Sequence, residues 1–400
     1  SAKQQNDLIK KIGKKVEPEK LKKHFDFAFL CLHGPYGEDG KIQGLFEYLN
    51  IPYSGSGILP SAIGIDKSVQ KQLMVNAGFN SPSFFTIEKS SFLKKGAKQF
   101  IEEAKQKIGL PIVIKPANQG SSIGVSILHE LEISSFEEAI EKAFFINRIK
   151  AETWNAFNEA QKINFIRTLA DIREGIGMPV NIGAKVFYHP MDLFHHIHHH
   201  FITETKDLFI EAIDGETKVL VEGFIEGKEF SCIVVQDDNN EAIALPPTEI
   251  RKGKELFDYR SKYLPGLSRK ITPIDSTNEQ IEAIREECKR LFEALQFNVY
   301  ARIDGFLSKD GKIFLNDPNT TSGMMPSSFF FHQAAEIGLN PSQFLTYIIR
   351  TSLAQRILTT SNNKAFSALL KKLDSSIKKD KEGKEKRSFA DDPARFKGFG

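Results

Sequence analysis

No apolar run in the chain approaches the roughly eighteen residues of a bilayer-spanning helix, and no secretory leader pattern opens it. A helical membrane anchor is therefore not expected. Cysteine is scarce: Cys31, Cys232 and Cys288 lie far apart and form no C-x-x-C pair. An odd, sparse set cannot build a disulfide framework and fits reduced thiols in a cytoplasm. Charge of one sign is also lacking, because a net +3 is too small an excess to mark a nucleic-acid or membrane-surface partner. What remains is the balance of a soluble globular protein, 40% hydrophobic and 26% charged over 400 residues, enough for two or three domains. The first residues are Ser-Ala-Lys rather than Met, so the chain is expected to be processed or cut from something longer.

Along the chain, apolar runs alternate with helical patterns. Residues 27–32 read as a buried parallel strand ending in a Gly-rich loop, and "IPYSGSG" as a strand and turn. "DKSVQKQLMVNAGF" reads as a helix, with Asp66 as N-cap and Gly78 as C-cap. A helix near 98–109 leads to the strand "PIVIK", a loop, the strand "GVSIL" and a helix over 136–148. Between Arg148 and Lys218 the text changes character, carrying Trp154 and the histidine-rich "HPMDLFHHIHHH". "EQIEAIREECKRLFEALQF" places Ile281, Ile284, Cys288, Leu291 and Leu295 on one helical face. Beyond about residue 352 the periodicity fades into a charged run, read as a linker or mobile end.

Two stretches carry chemistry. In "IVIKPANQGSSIGVS" a strand presents Lys115 just before a small-residue loop, the reverse of the P-loop order in which lysine follows the glycines. Backbone N–H groups of residues 118–124 could form an anion nest, with Lys115 as a point charge; a simple β-turn is the other reading. In "YARIDGFLSKDGKIFLNDPNTTSG" two strand-like runs flank Asp310-Gly311, a favoured two-residue hairpin turn. Counting outward sets Asp304 opposite Asp317 and Arg302 opposite Asn319. Facing carboxylates roughly 5 Å apart at Cβ repel each other unless a cation sits between them. Carboxylate plus amide oxygen suits a hard ion such as Mg²⁺, and Arg302 could stabilise charge developing beside it. The alternative is a surface hairpin with solvated charges.

The words "LHGPYGEDGKIQGLFEYLNIPYSGSG", "DK" at 66–67, "IKPANQGSSIG", "LVEGFIEGKEF", "FDYRSKY", "ARIDGFL" and "LNDPNTTSGM" stand in the order found in D-alanine–D-alanine ligases of the ATP-grasp superfamily. The resemblance covers about 27–352, apart from 148–218. It implies an α/β and α+β ATP-grasp fold: a truncated α/β domain over 1–66, a central domain over 67–222 with an insertion at about 148–217, and a C-terminal domain over 223–352. A charged tail or linker would follow over 353–400, and ATP would be sandwiched between the two α+β domains.

The resemblance also implies roles. Lys67 and Lys115 resemble the phosphate-holding lysines, and Ser121 and Ser122 belong to the loop closing over the phosphates, Ser121 orienting substrate and a tyrosine. Glu222, Gly223, Phe224 and Ile225 resemble the adenine hinge, and Glu229 the ribose acid. Lys262 and Tyr263 match a Lys-Tyr pair, phosphate contact and substrate hydrogen bonding respectively; tyrosine there goes with an amine nucleophile. Arg302 and the Gly323 backbone resemble the oxyanion site. Asp304, Asp317 and Asn319 fall on the ligands of two Mg²⁺ ions, replaceable by Mn²⁺. His33 and Ser328 line the substrate pockets, Ser328 receiving the second substrate's carboxylate. ATP and D-amino acids are the implied partners, in cytoplasmic synthesis of a peptidoglycan precursor by a homodimer, with no nucleic acid or membrane involved.

Five departures stand out. The family's first strand and its substrate-binding glutamate are not found before residue 27. Gln119 and Asp317 each stand where glutamate is usual, and Gly223 where lysine is common. The fifth is the insertion, read as a surface elaboration whose histidines bind metal adventitiously or not at all. These departures keep two alternatives open: an ATP-grasp ligase with other substrates, or a nucleotide-binding module without turnover.

Overall fold

The computed structural model describes residues 8, 11–120, 122–252, 268–360 and 363–382. Ser121, Lys262 and Tyr263 lie outside the described residues.

Residues 27–32 form no extended parallel strand. A single parallel bridge, Ala28 to Tyr53, stands there. Its hydrogen bonds are Ala28 N–H to the Pro52 carbonyl at 2.9 Å and Ser54 N–H to the Ala28 carbonyl at 3.0 Å. Parallel strands persist when both faces are covered, whereas here Cys31 and Leu32 are exposed and the local core is only Leu30, Phe46, Ile51 and Tyr53 with their neighbours.

The helix Lys67–Asn76 begins where expected, because the Asp66 carboxylate accepts from the N–H groups of Ser68 (2.9 Å) and Val69 (3.1 Å). Gly78, at φ +78°, turns the chain out just beyond its end. Then come β1 (Phe84–Glu88), β2 (Ile112–Pro116) and β3 (Ser126–Leu128). After the helix Ile133–Phe144 the chain enters a small unit: β4 (Ile146–Ile149), β5 (Val180–Ile182), β6 (Lys185–Phe187) and β7 (Leu208–Ala212). It returns as β8 (Lys218–Gly223). The sheet β1-β8-β2-β3 is antiparallel throughout, and the returning strand β8 takes its place between β1 and β2, so the excursion leaves no break in the central sheet.

The small unit has its own sheet, β4-β7-β5-β6, and its own core around fully buried Trp154. Its helix Pro190–Thr203 buries Leu193, Ile197 and Phe201, which sets His195, His198 and His199 on the exposed side. Among the described residues no group of three His, Cys, Asp or Glu side chains is placed to hold a metal.

The third sheet uses β9 (Gly227–Gln236), β10 (Ala242–Ala244), β11 (Thr248–Lys252), β12 (Ser268–Ile271), β13 (Tyr300–Ser308) and β14 (Ile313–Asn319), in the order β12-β11-β9-β13-β14 with β10 beside β9. One face packs on the helix Asn278–Ala294 through Ile284, Cys288 and Leu291, the other on the helices Phe329–Glu336 and Pro341–Thr359.

Residues 353–359 and 363–382 are helical where their charge suggested a linker or mobile end. The helix Pro341–Thr359 runs on past residue 352, and a further helix, Asn363–Glu382, packs alongside with Phe366 buried and Asp374 accepting from Arg350 at 3.0 Å. Phe366, Leu369, Leu370, Leu373 and Ile377 supply a helical stripe that the lysines between them mask.

The β13–β14 hairpin pairs Asp304 with Asp317 and Arg302 with Asn319, as counted, but by another route. Its loop is one residue longer: Leu307 faces Ile313, and Ser308 N–H reaches the Lys312 carbonyl at 2.9 Å, leaving Lys309, Asp310 and Gly311 in the turn. A bulge at Asn316 then absorbs the extra residue between the pairs Gly305–Leu315 and Asp304–Asp317.

Candidate active site

The sheet β1-β8-β2-β3 and the hairpin sheet face each other across a cleft. Its lining includes Lys67, Lys115, Ser122, Glu222, Gly223, Phe224, Ile225, Glu229, Asp304 and Asp317. The empty space is about 880 Å³, part of it open to solvent, in the range of small-molecule sites.

Charge is concentrated at one wall. Strand alternation buries Ile112 and Ile114 in the central core and turns Lys115 the other way, into the cleft. There Lys115 Nζ lies 2.6 Å from Glu222 Oε1 and donates to Asn316 Oδ1 at 3.1 Å. The second Glu222 oxygen faces Lys71 Nζ at 3.0 Å, a charge contact without an aligned hydrogen bond. All three groups are nearly inaccessible, with side-chain exposures of 6%, 5% and 1% for Lys115, Glu222 and Lys71. Burial pushes the Glu222 carboxyl upward, but the two lysines outweigh it and hold it down at about 2. Lys115 is displaced the other way, toward its neutral form. Burial is the main cause, and repulsion from Lys71 adds to it, while Glu222 opposes both. One carboxylate shared by two ammoniums leaves this cluster short of negative charge.

Lys67 sits four residues before Lys71 on the same helical face. Its Nζ donates to the Gln119 carbonyl at 2.8 Å and lies 3.3 Å from Asp317 Oδ1, tying the loop to the hairpin. Across the hairpin, Arg302 donates to both oxygens of Asp304, at 3.2 and 3.0 Å. The facing carboxylates are thus each countered by a cation. The Asn319 amide donates to the Asp317 carbonyl at 2.6 Å, which holds its side chain beside the pair.

The N-terminal loop reaches the far end of β14. Glu38 accepts from Gly34 N–H at 2.7 Å and from the Thr321 hydroxyl, and His33 Nδ1 lies 3.7 Å from Glu38 and 3.3 Å from Thr321. Burial raises the Glu38 carboxyl, but hydrogen bonds from His33, Thr321 and Gly34 prevail and lower it overall. Farther along the chain, the buried hydroxyls of Ser322 and Ser328 have no hydrogen-bond partner among the described residues and are available to a polar ligand. A Cβ built on Gly323 would meet nothing within 4 Å, so its backbone borders open space.

Arg302 and Asn319 pair at the hairpin's open end and His33 meets Thr321 just beyond it; these residues, Gly323 and Ser328 are not part of the cleft's lining. Sequence reasoning missed four residues: Lys71, Asn316, Glu38 and Glu216, a buried acid bonded to Asn118. Lys71 could have been found from its spacing to Lys67. Asn316 could not, since only the bulge brings it to Lys115.

Sequence profiles of the families described as D-ala D-ala ligase N-terminus and D-ala D-ala ligase C-terminus match residues 1–56, and residues 73–161 with 199–350. The interval between the last two lies inside the small unit. A D-alanine–D-alanine ligase of Geobacillus thermodenitrificans is 30% identical over 328 residues, 82% of this chain and 70% of that protein. The crystal structure of the D-alanine–D-alanine ligase of Bacillus anthracis complexed with ATP superposes with a TM-score of 0.56 at 26% identity, covering 86% of each chain. The VanG D-Ala:D-Ser ligase of Enterococcus faecalis gives 0.57 at 25% identity, over 85% of this chain and 75% of that one. With the cleft between two antiparallel sheets, these similarities establish the ATP-grasp fold, and the chain belongs to the D-alanine–D-alanine ligase family.

Proposed function

We propose that the protein is an ATP-dependent, ADP-forming D-alanine–D-alanine ligase, whose dipeptide serves peptidoglycan precursor synthesis as in its family. The observation that carries this reading is the buried Lys71–Glu222–Lys115 cluster, whose missing negative charge a nucleotide phosphate restores. Lys67 and Lys115 hold the phosphates, the hinge at 222–225 takes the base and Glu229 the ribose. The hinge N–H groups of Gly223 and Phe224 already serve the Ser83 and Pro111 carbonyls at 3.0 Å each, so the base relies on Ile225 and on hinge carbonyls.

The hairpin fits Mg²⁺ through its donors: two facing carboxylates and an amide oxygen, all hard ligands, and too few to enclose an ion without nucleotide oxygens. Asp304, Asp317 and Asn319 would hold it, and when bound it neutralises charge on the transferring phosphoryl group. One D-alanine carboxylate attacks the γ-phosphorus and ADP leaves, giving an acyl phosphate. The amine of the second D-alanine attacks the acyl carbon, phosphate departs with the C–O bond electrons, and the amine loses its proton. Arg302 and the Gly323 N–H stabilise the tetrahedral oxyanion. The Ser328 hydroxyl accompanies the second carboxylate, and His33 with Glu38 borders the first substrate. The loop 118–124, with Ser121 and Ser122, excludes water from the acyl phosphate. Lys262 and Tyr263 are assigned phosphate contact and substrate hydrogen bonding.

The assigned domains are 1–66, 67–222 and 223–352, and homodimerisation is assigned to the first. Three free cysteines and the use of ATP fit a cytoplasmic place. ADP release from MgATP, measured with D-alanine, L-alanine and neither, tests the reading. Release that requires D-alanine supports it, and release indifferent to D-alanine refutes it.

A further inference from the structure

The loop between β2 and β3 is held at both ends, while Gly120 borders open space. At its first turn the buried Glu216 grips one residue with both oxygens: Oε1 accepts from Asn118 N–H at 2.9 Å and Oε2 from the Asn118 side-chain amide at 3.0 Å. The flanking Ala117 is fixed as well, its N–H donating to the Lys218 carbonyl at 3.2 Å and its carbonyl accepting from Lys67 N–H at 2.9 Å. At the other end Ile123 packs against the core of the small unit. Gly124, at φ +72°, passes so close that a Cβ there would lie 2.7 Å from Pro116 Cγ and 3.2 Å from Phe145 Cζ. Between these anchors, a Cβ on Gly120 would meet nothing within 4 Å.

Glu216 also has a telling place in the chain. It lies on the short connection from β7, the last strand of the small unit, to β8, the strand that carries Glu222. Gly215 beside it is tightly packed, its would-be Cβ 3.1 Å from the carbonyls of both Ala212 and Phe144. The segment therefore has little room to shift independently of the small unit. Burial raises the Glu216 carboxyl, and the two hydrogen bonds from Asn118 work against that rise.

We propose that Glu216 is a positioning residue for the phosphate-covering loop, and that the small unit of β4–β7 is the seat on which that loop rests. The inference builds on the ligase reading, in which the loop shields an acyl phosphate. In this chain the loop's register is set by Glu216 at its first turn and by the core of the unit inserted just after it, against which Ile123 packs. A loosened anchor lets water reach the acyl phosphate and weakens the hold on nucleotide, with no change in the groups that perform the chemistry.

The test compares wild type, Glu216→Ala, Glu216→Gln and Asn118→Ala by three readouts: KM for ATP against kcat, phosphate released per dipeptide formed, and ADP affinity by calorimetry. Glu216→Ala should raise KM for ATP roughly tenfold or more, as expected for two lost hydrogen bonds to a charged group, and lift the phosphate-to-dipeptide ratio above one. Glu216→Gln should recover most of both, because a flipped Asn118 amide can accept from the new amide while its backbone N–H still donates. Asn118→Ala, which leaves Glu216 in place, should shift both readouts in the direction of Glu216→Ala, but less, and remains informative if that variant does not fold. An unchanged KM and a ratio of one in Glu216→Ala overturn the proposal, as does a Glu216→Gln enzyme as impaired as the alanine variant. ADP affinity is read without turnover. Wild-type protein that binds ADP but forms no dipeptide would sink the ligase reading, whereas a weaker ADP affinity in Glu216→Ala would still support the positioning role.

Discussion

Replacing Glu222 by glutamine should reveal how the cleft wall is held together. The substitution keeps volume and hydrogen-bonding shape but removes the negative charge that two buried lysines share, at 2.6 Å from Lys115 and 3.0 Å from Lys71. Lys115 retains the Asn316 amide oxygen at 3.1 Å, but Lys71 loses its ion pair. Removing one partner of a buried pair costs about 3–5 kcal/mol, because the other charge is left in a poorly polarisable interior. Lys71→Met should cost only about 1 kcal/mol, since methionine fills similar space and Glu222 keeps Lys115. The combination Lys71→Met with Glu222→Gln then removes the stranded cation, and should be more stable than Glu222→Gln alone. Urea unfolding followed by circular dichroism gives the midpoints and slopes for the cycle. A double variant less stable than Glu222→Gln, or a Glu222→Gln variant within about 1 kcal/mol of wild type, would refute the shared-carboxylate account.

Acid should remove part of the same stabilisation. The folded Glu222 titrates at about 2, below an unfolded glutamate at about 4.3, so its contribution is complete above about 4.3 and is lost as pH falls toward 2. It amounts to about 3 kcal/mol, and a stability–pH profile of Glu222→Gln should lack that part of the slope. Arg302→Lys should lower kcat by about a hundred- to a thousandfold with little change in KM for ATP, as steady-state kinetics with saturating magnesium would show. Gly305→Ala places a Cβ 2.6 Å from Phe230 Cζ and 2.8 Å from the Phe314 carbonyl. It should cost about 1–3 kcal/mol in thermal or urea unfolding and raise KM for ATP, because Gly305 also lines the cleft.

The parts of the site legible in the sequence were those written by local rules. Asp66 caps its helix because its side chain reaches the next turn, and Asp304 faces Asp317 because strand pairing has period two. The second inference succeeded through two shifts that cancel, a longer turn at Gly311 and a bulge at Asn316, neither visible in the pattern of residues. Long-range geometry was hidden for a related reason. Nothing near Lys71 announces that it meets Glu222, and nothing near Glu216 announces Asn118, since each pair is joined only by folding. At 27–32 the apolar run promised a strand, but among the described residues it forms a single bridge, Ala28 to Tyr53. In the helix Asn363–Glu382 the opposite happened, and charge concealed an apolar stripe that packs on the preceding helix.

The central claim is that a D-alanine carboxylate is phosphorylated before it is joined to an amine. D-alanine labelled with heavy oxygen in its carboxylate, supplied with MgATP, tests this by mass spectrometry of the products. The account predicts D-alanyl-D-alanine together with phosphate carrying one labelled oxygen, because that oxygen leaves the acyl carbon with the phosphoryl group. Dipeptide with unlabelled phosphate, or labelled phosphate with no dipeptide, would contradict it.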